Sequence, residues 1–141
     1  MSFYNKNGIK NVLVTGGAGF IGGSLIRKLL KTTNINIFNL DKLGYASDLT
    51  GINQLINDEN INHARYKFFQ INLINYEEIK KAVFESDPDL VFHLAAESHV
   101  DRSINGPRTF LESNVIGTFN LLESLKSHWE SLSRERKNIF K

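Results

Sequence analysis

The chain has 141 residues, 41% of them hydrophobic, and a net charge of +2 with basic and acidic residues interspersed, enough for one domain that buries its own core. It contains no cysteine, which excludes a disulfide framework and a thiolate metal site. No basic stripe marks a nucleic-acid surface, the start Met-Ser-Phe-Tyr-Asn-Lys-Asn-Gly is too polar for a secretory signal, and no apolar run could span a bilayer; a cytoplasmic protein is expected.

Asn11–Thr15 reads as a first strand that stops at glycines spaced Gly16, Gly19 and Gly22, after which a helical pattern begins. Strand, tight turn and helix in that order form the context that a dinucleotide-binding glycine motif requires. Gly16 lets the chain reverse, Gly19 lets backbone approach a diphosphate, and Gly22 lets the helix pack close to the strand. The amides at the helix N-terminus then face the phosphates. The helix is predicted over Phe20–Lys31, with Ile21, Leu25, Ile26, Leu29 and Leu30 on its apolar side.

Asn36–Leu40 forms a second strand ending at Asp41, followed by a loop over Leu43–Ser47 and a short helix over Asp48–Asn57. Arg65–Ile71 reads as a third strand, Tyr76–Ser86 as a helix and Leu90–Leu94 as a fourth strand. Pro107 can open a long helix from Arg108 to about Ser133, with Leu111, Val115, Leu122, Leu125, Trp129 and Leu132 along its apolar stripe. Asn138–Lys141 looks like the start of a fifth strand. The alternation predicts an α/β fold, a Rossmann-type doubly wound parallel sheet of order 3-2-1-4. It forms a single domain over residues 1–141 that stops at about the fifth strand.

In that topology the ligand crevice lies at the carboxyl ends of the strands. Asp41, 19 residues after Gly22, is placed to accept both hydroxyls of an adenosine ribose and to repel a 2′-phosphate, favouring NAD over NADP. The neighbouring Lys42 weakens that preference. Asn72, after strand three, either accepts from an amino group on the purine edge or serves as a turn residue, with Asn75 the better helix cap. Small residues at Ala95 and Ala96 leave room for a flat cofactor. Glu97, Ser98, His99, Asp101 and Arg102 then crowd one loop, as substrate contacts do. His99 and Asp101 lack a third ligand for a metal. His93, inside the apolar strand, reads as a hydrogen-bonded core residue.

Together, Val14-Thr-Gly-Gly-Ala-Gly-Phe-Ile-Gly22, Leu40-Asp-Lys-Leu43 with Tyr45-Ala46, His93-Leu-Ala-Ala-Glu-Ser-His-Val-Asp-Arg-Ser-Ile104 and Phe110-Leu-Glu-Ser-Asn-Val-Ile-Gly-Thr118 resemble the extended short-chain dehydrogenase/reductases. Within them the resemblance is to the dTDP-glucose 4,6-dehydratases, and the segment Glu97–Ser103 is its most specific part. It implies NAD contacts at Gly16, Gly19, Phe20, Ile21 and Gly22, at Asp41, Lys42 and Leu43, and at Asn72 and Leu73. On the other side it implies Leu94, Ala95, Ala96, Glu97 and Ser113. Ser98 and His99 would approach the nucleotide sugar dTDP-glucose. Ser113, Asn72 and Asn75 depart from the family's usual threonine and aspartates, which puts cofactor affinity in doubt and leaves the fold intact.

The family's catalytic segment, with its Ser/Thr-Asp-Glu and Tyr-x-x-x-Lys groups, has no match here. Tyr76-Glu-Glu-Ile-Lys80 has the spacing but lies between strands three and four, the wrong place. The chain is therefore expected to be the cofactor-binding portion of such an enzyme, inactive alone. A non-catalytic NAD-binding module, or a portion of a nucleotide-sugar epimerase, is the alternative. An open sheet edge and an exposed apolar patch are expected, favouring a homodimer or a complementary C-terminal polypeptide.

Overall fold

Strands as apolar as Val12-Leu13-Val14 need cover on both faces. The computed structural model, which describes residues 8–57 and 61–141, supplies it. In chain order the elements are β1 (Asn11–Thr15), α1 (Phe20–Thr32), β2 (Asn36–Asp41), α2 (Thr50–Ile56), a 3₁₀ turn (His63–Arg65), β3 (Tyr66–Gln70), α3 (Tyr76–Ser86) and β4 (Leu90–His93). Then follow α4 (Val100–Asn105), α5 (Pro107–Phe110), a π-helical segment (Leu111–Ile116), α6 (Gly117–Ser131) and α7 (Arg134–Ile139). The sheet order is β3-β2-β1-β4, parallel throughout, as expected.

Side-chain alternation sorts β1 between two cores. Val12 and Val14 pack with Ile26, Leu29 and Leu30 of α1 and Ile52 of α2. Leu13 faces the other way, joining Ile79 and Val83 of α3 and Leu121 and Leu125 of α6. Asn75 caps α3, its side chain accepting from Glu78 N at 3.3 Å, and Asp87, at φ +41°, ends it. At the opposite end of the sheet from the crevice, Asp89 accepts from the amides of Lys10 and Asn11 at 2.9 and 3.0 Å. Arg136 of α7 bridges Asp87 and Asp89.

Five expectations need correction. α2 begins at Thr50, because Asp48 stays outside it and accepts from Thr50 N at 2.8 Å. β3 begins at Tyr66, since Arg65 belongs to the 3₁₀ turn and its guanidinium donates to Leu30 O and Thr33 O. The loop holding Glu97 and His99 runs into α4; the side chains of Val100, Arg102 and Ser103 lie outside what is described. Asn138 and Ile139 end α7, and only Lys141 pairs beside β4, through its own N to Asp89 O and its O from Val91 N.

The fifth correction concerns the long helix, which is continuous in backbone but changes pitch in the π segment. Leu111, Val115, Leu122 and Trp129 of the expected core stripe point outward, joined there by Phe119, whereas Leu125 is buried. The inward face is Gly117, Asn120, Leu121, Ser124, Leu125 and His128. Close approach explains the reversal. A Cβ on Gly117 would come within 2.8 Å of Leu73 Cβ, and Asn120 donates to Leu73 O and Ile74 O at 3.0 and 3.1 Å. Beside this helix, Val91, Leu121, Leu122, Trp129 and Phe140 line an apolar groove along the outer edge of β4. Among the described residues no helix is long and apolar enough to cross a membrane.

Candidate functional site

The turn from β1 into α1 is built of backbone. Gly16 has φ +71°, a conformation that L side chains avoid, and a Cβ on it would stand 2.6 Å from Ala95 N. Its amide donates to Leu40 O at 2.9 Å, and Gly19 N donates back to Gly16 O at 3.1 Å. Gly22 is buried against this turn, where a Cβ would meet Gly16 O at 2.2 Å. Gly19 caps α1 without any side-chain hydrogen bond, and the first turn carries no acidic residue. The positive end of a 13-residue helix is thus left to an external anion.

Asp41 closes β2 and is 7% exposed. Its Oδ2 accepts from Ala18 N at 3.1 Å, and its Oδ1 from Leu43 N at 2.8 Å and Ser47 Oγ at 3.0 Å. A carboxylate has about four lone-pair sites, so one, on Oδ2, remains for a ligand hydroxyl. Ser47 carried no signal beyond the turn composition of its loop. Leu43 adopts φ +57°, which turns the chain away after Lys42. Two contacts then straddle the crevice from the loop after β2 to the loop after β4. Lys42 Nζ lies 2.5 Å from Glu97 Oε1, and the Tyr45 and His99 rings meet at 6.1 Å.

At the end of β4, small side chains and one histidine set the backbone. His93 Nδ1 lies 2.6 Å from Thr15 Oγ1, and its Nε2 lies 3.0 Å from Thr118 Oγ1. Thr118 donates its hydroxyl proton to Asn114 O and therefore accepts from Nε2–H, so Thr15 donates to Nδ1. Thr15 Oγ1 in turn receives Ala95 N at 3.3 Å. Burial pushes the imidazole below its usual range, consistent with this neutral form. His93 is hydrogen-bonded on both ring nitrogens, as the sequence suggested, but it is half-buried where a core position was expected, because β4 is the sheet's edge strand. Asn114, in the π segment, holds Glu97 by both backbone groups, at 2.8 and 2.9 Å. The strand-four loop is thereby tied to the long helix.

One cleft at the carboxyl ends of the strands brings together Gly16, Gly19, Asp41, Lys42, Asn72, Leu73, Leu94, Ala95, Ala96, Glu97, Ser98 and Ser113. Phe20 and Ile21 stand at the start of α1, outside the lining, 92% and 68% exposed. Ile21 is thus off the buried side where periodicity places it, because Gly22 and Gly23 take the inward positions of the first turn. Gly22 lies beneath the turn, and Leu43 and His99 lie outside the lining. Leu40, Gly44, Tyr45, Ala46, Ser47 and Ile71 also line the cleft. Of these, Tyr45-Ala46 was visible only through the family resemblance. Tyr76 and Lys80 face each other on α3, with Nζ 5.9 Å from the ring, and neither lines the cleft. A bare glycine turn, an uncapped helix start and a buried carboxylate at the next strand fit a dinucleotide.

Comparison with known proteins agrees with this geometry. The family model described as GDP-mannose 4,6 dehydratase matches residues 13–139. The dTDP-glucose 4,6-dehydratase of Escherichia coli is 43% identical over 130 residues, covering 92% of this chain and 34% of that protein. The structure of dTDP-glucose 4,6-dehydratase from Bacillus anthracis, in complex with NAD, superposes with a TM-score of 0.69 at 34% identity. That match covers 85% of this chain and 34% of the other. A UDP-Glc/GlcNAc 4-epimerase from Campylobacter jejuni gives 0.74 at 28% identity, covering 84% and 34%. The chain spans about a third of the length of the curated relatives it matches.

Proposed function

The chain belongs to the GDP-mannose 4,6 dehydratase family, and on that premise we propose that it is the NAD-binding portion of a dTDP-glucose 4,6-dehydratase. The observation that carries this reading is the unshielded start of α1 beside the Asp41 carboxylate in one cleft. The diphosphate lies on Gly16, Gly19 and the first amides of α1, under Phe20 and Ile21. Asp41 takes a ribose hydroxyl, Lys42 and Leu43 border it, and the Asn72–Leu73 corner meets the base. Leu94, Ala95, Ala96, Glu97 and Ser113 line the nicotinamide half, and Ser98 and His99 reach toward the sugar nucleotide. NAD, when bound, supplies a hydride acceptor; what these residues contribute is its orientation and the exclusion of water around it.

These 141 residues hold the cofactor without dehydrating dTDP-glucose by themselves, because none of the family's acid–base groups has a matching position. General acid–base catalysis alone contributes about 10²–10⁴ in rate. Calorimetric titration with NAD and NADP tests the cofactor reading. Binding of NAD with NADP much weaker supports it, and no binding of either refutes it. Activity restored by adding the remaining part of a dehydratase would separate this reading from that of a non-catalytic NAD-binding module. The epimerase reading draws on the likeness to the Campylobacter jejuni structure, but Glu97–Ser103 favours the dehydratase. We place the protein in the cytoplasm and expect its exposed apolar stripe to meet a second copy or a complementary polypeptide.

A further inference from the structure

The corner after β3 carries more than the reading above requires. Asn72 is exposed and lines the cleft, yet its side-chain oxygen is in use, accepting Ile74 N at 3.2 Å. Its backbone carbonyl accepts Asn75 N at 2.9 Å. One of the two lone pairs on the oxygen expected to receive an amino group is thus spent inside the loop. The carboxamide NH2, by contrast, is a donor wholly unspent, with no acceptor among the described residues.

The strand order fixes which part of a dinucleotide meets this donor. With the diphosphate at the β1–α1 turn and the ribose at Asp41 on β2, the base reaches the end of β3, the next strand outward. We propose that Asn72 makes the site read the purine by donation, so that it accepts a base with a 6-oxo group at least as well as one with a 6-amino group. Adenine offers a donor at position 6 and must present a ring nitrogen instead, whereas hypoxanthine offers an acceptor oxygen directly. The inference rests on the proposed dinucleotide site and concerns its choice of base.

The test titrates the chain with NAD and with nicotinamide hypoxanthine dinucleotide, in the wild type and in Asn72→Asp. Aspartate keeps an acceptor for Ile74 N, so the loop is preserved, but it turns a carboxylate oxygen toward the base. The expected result is that the wild type binds the hypoxanthine dinucleotide no more weakly than NAD, and that Asn72→Asp prefers NAD by about tenfold or more. A wild type that prefers NAD by threefold or more, or a variant with an unchanged ratio, overturns the inference while leaving the NAD site standing. Failure of the wild type to bind either dinucleotide overturns the site itself and this inference with it.

Discussion

At the residue scale, Asp41 shows how one side chain serves both fold and ligand. Its carboxylate gathers Ala18, Leu43 and Ser47, so it organises the glycine turn and the loop after β2 before any ligand arrives. Asp41→Asn keeps one acceptor oxygen and removes the charge. The ratio of NADP to NAD affinity should rise about tenfold, since a 2′-phosphate no longer meets a buried anion; parallel calorimetric titrations measure it. Gly16→Ala places a Cβ at positive φ against Ala95 N. It should destabilise the domain by about 2 kcal/mol or more, seen as a lower urea midpoint. Gly19→Ala differs, because its Cβ meets only Gly16 O at 3.2 Å. There the urea midpoint should hold nearly constant while NAD affinity falls at least about tenfold, the methyl occupying the diphosphate's approach.

At the element scale, α6 is the instructive case. Periodicity along the long helix finds a genuine apolar stripe, but the stripe faces out, because α3 and the Leu73–Ile74 backbone demand small and hydrogen-bonding residues at close range. His128 lies on that inward face, 2% exposed, with Phe84 edge-on at 5.6 Å and Phe140 at 6.1 Å. Burial pushes its imidazole below the usual range, against the attraction of Asp87, and Arg136 adds to the depression. His93 is depressed by burial as well. The unfolded chain therefore takes up protons near pH 6.5 that the native state refuses. Stability should be fully present above that pH and fall as pH drops below it. Urea unfolding at pH 7.5 and 5.5 checks this, with the acid-side loss reduced in His128→Phe.

At the scale of the whole molecule, the outer edge of β4 and the stripe of Leu111, Val115, Phe119, Leu122 and Trp129 leave apolar surface where a covered sheet would have none. Sedimentation should find concentration-dependent association, and Leu122→Glu with Trp129→Glu should abolish it while leaving the helix content intact. A monodisperse monomer before substitution would contradict this.

The strand order, the glycine turn, Asp41 and the small residues after β4 were legible because they depend on local chemistry, whereas Leu73, Leu94 and Ser113 entered the cleft lining through family resemblance alone. Glycine spacing, β-strand composition and a strand-end carboxylate act within a few residues of chain, and the parallel winding follows from alternation and handedness. The direction of the α6 stripe, the π segment that places Asn114 on Glu97, and the engagement of Asp41 and Asn72 were decided only in three dimensions. Each depends on how near another element comes, and that distance arises from packing residues far apart in sequence, which no local pattern records.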